Sequence, residues 1–140
     1  MRITFEEIKN NETIRTYIKK ADESLLSLGF TEHSFAHVTK VGVTAKNILL
    51  KLGYSEREAE LAAIAGFMHD IGNVINRKDH AQSGAVMAFR ILDNMHCDPE
   101  DTTRLAKSSQ MRAYYFQARR TRPYKPHKRK NVATPTEGKE

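Results

Sequence analysis

With 140 residues, 39% of them hydrophobic and 29% charged, the chain is sized for one soluble globular domain with a real core. The formal net charge of +6 is unevenly held: residues 1–102 carry 12 Lys/Arg against 15 Asp/Glu, and residues 103–140 carry 11 against 2. No run approaches the roughly 18–20 apolar residues of a membrane span, no basic start leads into the apolar stretch of a signal peptide, and the single Cys97 cannot form an internal disulfide. A membrane role is excluded on this reading, and a reducing cytoplasm is the expected setting.

The elements in chain order all read as helices. Thr4 and Glu7 have the spacing of a capping box for a short first helix. A second spans about residues 12–28, with Ile14, Tyr17, Ile18, Ala21, Leu25 and Leu28 on one face and Gly29 as its stop. The third spans about residues 34–52, with Val38, Val41, Ala45, Ile48, Leu49 and Leu52 turned inward and Gly53 ending it. Ser55 with Glu58 caps a fourth helix that ends at His69-Asp70, where Gly72 is placed to terminate it. Asp79 with Gln82 repeats the capping pattern for a fifth, whose inner face is Gly84, Ala85, Ala88, Ile91, Leu92 and Met95. Asp98-Pro99 is an N-cap followed by proline at the first helical position, so a sixth begins there. Nothing alternates at period two, and the predicted class is all-α.

Chemistry concentrates where the fourth helix ends. The run Leu61-Ala62-Ala63-Ile64-Ala65-Gly66-Phe67-Met68 is closed by an imidazole and a carboxylate. Unpaired polar groups beside such a run are costly in a core and ordinary in a metal site. Adjacent helical residues point about 100° apart, so His69 and Asp70 serve one site only where the helix is ending. Taken singly, each histidine reads as a surface or capping residue. His37 and His80, on neighbouring helices, are placed to converge on His69-Asp70. Imidazole nitrogens with a carboxylate oxygen suit Zn, Fe, Mn or Co better than Ca.

His37, followed thirty-two residues later by His69-Asp70-Ile71-Gly72, together with the turn at residues 52–56 and the stretch Asp79-His80-Ala81-Gln82-Ser83-Gly84-Ala85, resembles the HD-domain superfamily of metal-dependent phosphohydrolases over about residues 30–101. The resemblance implies a helical bundle around a divalent metal ion (Mn, Fe, Co, Zn or Mg) that hydrolyses a phosphate ester or anhydride, often in a nucleotide. It implies His37, His69 and Asp70 as metal ligands, Asp70 also as the catalytic group that orients or deprotonates water, and His80 as a second-metal ligand or phosphate contact. Arg77 and Lys78, in the loop before His80, are placed to grip phosphate, and His33, one turn before His37, could reach the same mouth. A solvated loop and a capping His33 are the plain alternatives. The chain departs from the family pattern at Asn73, where many members carry Lys, and after residue 101, where the pattern continues to a last Asp ligand. Residues 103–140 contain one histidine, His127, and no aspartate.

Two units are therefore expected, an HD-like helical domain over 1–101, apparently truncated, and a basic tail over 102–140. Pro123, Pro126 and Pro135 among Lys125, Lys128, Arg129 and Lys130 predict disorder there. The tail reads as an arm for nucleic acid, with Tyr124 as a stacking residue, as a solvated extension, or as foreign sequence from a shifted reading frame joined to a truncated domain, the preferred reading. Helices missing from the pattern would leave apolar faces uncovered, which a homodimer would hide. A catalytically silent helical module with a nucleic-acid-binding tail is the alternative to the hydrolase.

Overall fold

The computed structural model describes residues 2–30 and 35–107, and every regular element among them is helical. They are α1 (Phe5–Lys9), α2 (Glu12–Ser27), α3 (Phe35–Lys51), α4 (Glu56–Met68), a 3-10 turn (Ile71–Val74) and α5 (His80–Asn94), then a helical stretch over 99–107. None of the described helices is long and apolar enough to cross a membrane. His33 and the basic segment from Pro123 to Pro135 lie outside the described residues.

Local signals set most of the boundaries. Thr4 Oγ1 accepts from the Glu7 amide at 3.1 Å, Asn11 Oδ1 from that of Ile14 at 3.0 Å, and Ser55 Oγ from that of Glu58 at 3.1 Å. Each satisfies an amide the helix start would otherwise leave unpaired. Gly29 and Gly53, at φ 89° and 90°, turn the chain out of α2 and α3 in the left-handed region that glycine enters without strain. Two expected signals work differently. Asp79 precedes α5 with φ 60° and its side chain caps nothing; in that backbone conformation only its carbonyl serves the helix, accepting from Gln82 N at 3.0 Å and Ser83 N at 3.2 Å. Gly72 does not stop α4, which has already ended at Met68; it lies buried inside the 3-10 turn.

The core runs through Ile3, Ile8, Ile14, Ile64, Phe67, Ile71 and Leu92, with Phe5 edge-on to Phe67 at 5.7 Å between centroids. Burial on α2 follows the expected stripe through Ile14, Ile18, Ala21 and Leu25, but Leu28 is exposed. On α3 the stripe is buried only in part. Val38 is buried, whereas Ile48 and Leu52, expected inward, are 51% and 68% exposed. The chief neighbour of α3 is α4, and the far end of its apolar stripe stays exposed among the described residues.

Glu60 and Arg57 on α4 tie the chain's beginning to that helix. Glu60 accepts from the Phe5 amide at 2.6 Å and from Lys46 Nζ at 3.1 Å. Burial raises its carboxyl, but those two hydrogen bonds and the nearby positive charge outweigh it and hold the group below its ordinary value. Arg57 donates to the Ile3 carbonyl at 2.8 Å and pairs with the buried Asp101. Asp98 Oδ2 caps the Asp101 amide at 3.3 Å, as the Asp-Pro signal implies. The boundary expected after residue 101 falls inside this helical stretch, whose Thr102 and Leu105 are buried, Leu105 within the core cluster.

Candidate metal centre

An antiparallel helix pair places residues equidistant from its turn side by side. His37 and His69 each stand sixteen residues from Gly53, the glycine of the α3–α4 turn. The two helices also approach closely where glycines face each other. A Cβ on Gly66 would stand 3.0 Å from Gly42 Cα, and one on Gly42 would stand 2.7 Å from the Ala63 carbonyl oxygen. With nothing between the backbones, the two imidazoles come to 5.8 Å between ring centroids. Gly66→Val should push the helices apart, costing about 1–3 kcal/mol. Urea denaturation should show a lower midpoint, and metal titration a weaker site; unchanged values in both would contradict this account of the spacing.

Asp70 joins them because the helix ends there. His69 is still helical at φ −64°, ψ −27°, and Asp70 leaves the helix at φ −104°, ψ 7°. Ligand atoms of His37, His69 and Asp70 then lie within 4.8 Å of one another, all three half-buried. The C-terminal end of α4 carries partial negative charge, which favours a cation at this spot. His80 meets the cluster from α5, with Nε2 3.3 Å from Asp70 Oδ1, while His69 Nε2 lies 2.9 Å from Asp70 Oδ2. Burial would raise the Asp70 carboxyl, and the two imidazoles overcome that, holding it far below the usual carboxylate range.

The ring nitrogens show what the donor set fits. His69 Nδ1 lies 2.6 Å from the Gly66 carbonyl oxygen, and His80 Nδ1 lies 3.0 Å from that of Arg77. A carbonyl only accepts, so each Nδ1 carries its hydrogen. In a neutral ring Nε2 is then a lone pair, and both lone pairs face carboxylate oxygens. Such an acceptor-to-acceptor arrangement holds only with positive charge between them, either a ring proton or a metal cation. Backbone carbonyls that fix the tautomer in this way are typical outer partners of metal-binding histidines.

Gly72 and Asn73 support the cluster from below the motif. A Cβ on Gly72 would overlap the His80 carbonyl and stand 2.5 Å from Gly84 N, so the bare glycine lets α5 bring His80 in. Asn73, 4% exposed, donates from Nδ2 to the Asp70 carbonyl at 2.9 Å and accepts from Arg77 at 3.2 Å. The side chain of Arg77 also stacks on Phe30, with Cζ 4.7 Å from the ring centroid. Lys78 is exposed and makes no hydrogen bond or ion pair among the described residues. His37, His69, Asp70 and His80 are thus brought together, Arg77 joins through Asn73 and its own carbonyl, and Lys78 stays apart. The motif residues did not point to Phe30 or to the Gly66 carbonyl; the only trace of the latter is that Gly66 lies three residues before His69, within one helical turn. A groove of about 250 Å³ between α2 and α5, lined by Tyr17, Met87 and Arg90 among others, does not include the cluster.

Among protein families, the model described as HD domain matches residues 34–114, more than half of the chain. The match runs past residue 101, where the likeness to the family was expected to stop. No curated protein and no solved structure matches the chain.

Proposed function

The chain belongs to the HD domain family, and on that premise we propose that it is a metal-dependent phosphohydrolase, cleaving a phosphate ester or anhydride of a phosphorylated small molecule or nucleotide. The observation that carries this reading is the meeting of His37, His69 and Asp70, from separate stretches of chain, within 4.8 Å. These three would hold a divalent cation of the Mn, Fe, Co, Zn or Mg type, with His80 as a further ligand or a phosphate contact. Such a cation, when bound, supplies Lewis acidity: it acidifies a bound water and offsets charge developing on phosphoryl oxygens.

The chain's own groups do the rest. His69 and His80 are oriented by the carbonyls of Gly66 and Arg77, so neither ring must reorganise during the reaction. Asp70 remains ionised because two imidazoles face it. Its carboxylate oxygens, Oδ1 and Oδ2, would orient or deprotonate the attacking water. His80 is the first residue of α5, where outward amides favour an anion, and the phosphate is expected on that side.

The test is metal analysis of the purified full chain, followed by phosphate release from para-nitrophenyl phosphate and a nucleotide panel with each divalent metal. Metal-dependent release that a chelator abolishes is the expected result. A chain that holds no divalent metal and releases no phosphate under any of these conditions refutes the hydrolase.

A further inference from the structure

Arg77 is held with more care than an exposed side chain needs. Its guanidinium donates to Asn73 Oδ1 and lies over the Phe30 ring. The orientation of Asn73 is itself fixed, since its other amide atom must donate to the Asp70 carbonyl. A buried amide therefore links the metal-ligand backbone directly to a guanidinium. The carbonyl of the same Arg77 orients His80.

What that guanidinium lacks among the described residues is a counter-charge. Arg57 pairs with Asp101, whereas Arg77 pairs with no carboxylate among the described residues. Among the described residues one of its five N–H donors is engaged, on an exposed side chain. Fixing a long side chain costs conformational entropy, which stacking and one neutral hydrogen bond offset without satisfying the charge. Adjacent Lys78 has the same sign and no such supports.

We propose that Arg77 is the residue through which this site grips a substrate phosphate, and that Asn73 and Phe30 are its positioning residues. The assignment rests on the hydrolase reading and adds the group that anchors the substrate. A planar fork of N–H donors matches two oxygens of one phosphate, which a lysine ammonium does not. The ligand class is a phosphate with at least two free oxygens, as in a monoester or a terminal phosphate. A guanidinium already pinned by Asn73 and Phe30 loses little further freedom on binding.

Inorganic phosphate is the probe, titrated calorimetrically into the full chain loaded with Mn²⁺, with metal content measured separately for every variant. Arg77→Gln should weaken phosphate binding about ten- to a hundredfold, the range for losing a charge-assisted hydrogen bond, while metal content stays at the native level. Arg77→Lys should recover only part of the loss. Phe30→Leu keeps apolar bulk but removes the aromatic face, and should weaken phosphate about two- to fivefold without changing thermal stability or metal content. Native phosphate affinity in Arg77→Gln overturns the assignment and leaves the hydrolase standing. Should the native chain hold no metal, the hydrolase fails separately and titration of phosphate into the metal-free chain decides: phosphate binding that depends on Arg77 supports the anchor, and no phosphate binding overturns it.

Discussion

Asp70→Ala and His69→Ala are each expected to empty the chain of divalent metal, with affinity falling more than about a hundredfold. Loss of residues that merely orient a ligand costs ten- to a hundredfold, and these two are placed to be ligands. Asp70 is the more severe case, because the His69 and His80 imidazoles both face its carboxylate. Removing the carboxylate leaves His69 Nε2 and His80 Nε2 with no anion between them, a poor place for a cation. Asp70→Asn is the informative companion, keeping the shape while removing the charge. It should fold and still lose the metal, which separates ligation from packing. Equal metal in native and Asp70→Asn protein, by elemental analysis after dialysis, would mean that the ion sits elsewhere.

Arg57→Ala is expected to be the most damaging change outside the candidate metal centre. The guanidinium joins three parts of the chain: Ile3 before α1, α4 itself, and Asp101 in the helical stretch after α5. Asp101 is 8% exposed. Truncating its partner would leave a nearly buried carboxylate uncompensated and the Ile3 carbonyl without a donor, costing about 3–5 kcal/mol. For a domain of this size the melting temperature should drop by about 10 °C. The pair Arg57→Met with Asp101→Leu should recover most of the loss, since apolar residues of similar volume often replace a buried ion pair without penalty. A double variant no more stable than Arg57→Ala would show that the packing around the pair, and not the stranded charge, sets the cost.

Much of the candidate site could be read from the chain because its signals are local. Ser55 with Glu58, Gly29 and Gly53 act on atoms a few residues away, so helix starts and stops follow from them with little help. The class is all-α for the same reason. His37, His69 and Asp70 were legible as a set through their likeness to the HD pattern, whereas the antiparallel pairing that sets His37 beside His69 is a matter of how α3 and α4 pack. The signals that misled share one property, dependence on what a neighbouring helix does. Gly72 reads as a helix stop, yet its bare Cα serves the approach of α5. Asp79 reads as a side-chain cap, yet its backbone is left-handed and its side chain caps nothing. Ile48 and Leu52 continue an apolar stripe that no described element covers.

Composition and pattern therefore determined the helices and most of their limits, and the likeness to the HD pattern singled out three residues as candidate cation ligands. Only the tertiary structure decided how those residues are supported: which carbonyls fix the imidazoles, that Asn73 joins Asp70 to Arg77, that Phe30 lies beneath the guanidinium, and that Arg57 meets Asp101. The physical reason is range. Capping and periodicity act within one turn of helix, so sequence spacing encodes them, whereas these contacts join residues whose nearness depends on how whole helices pack.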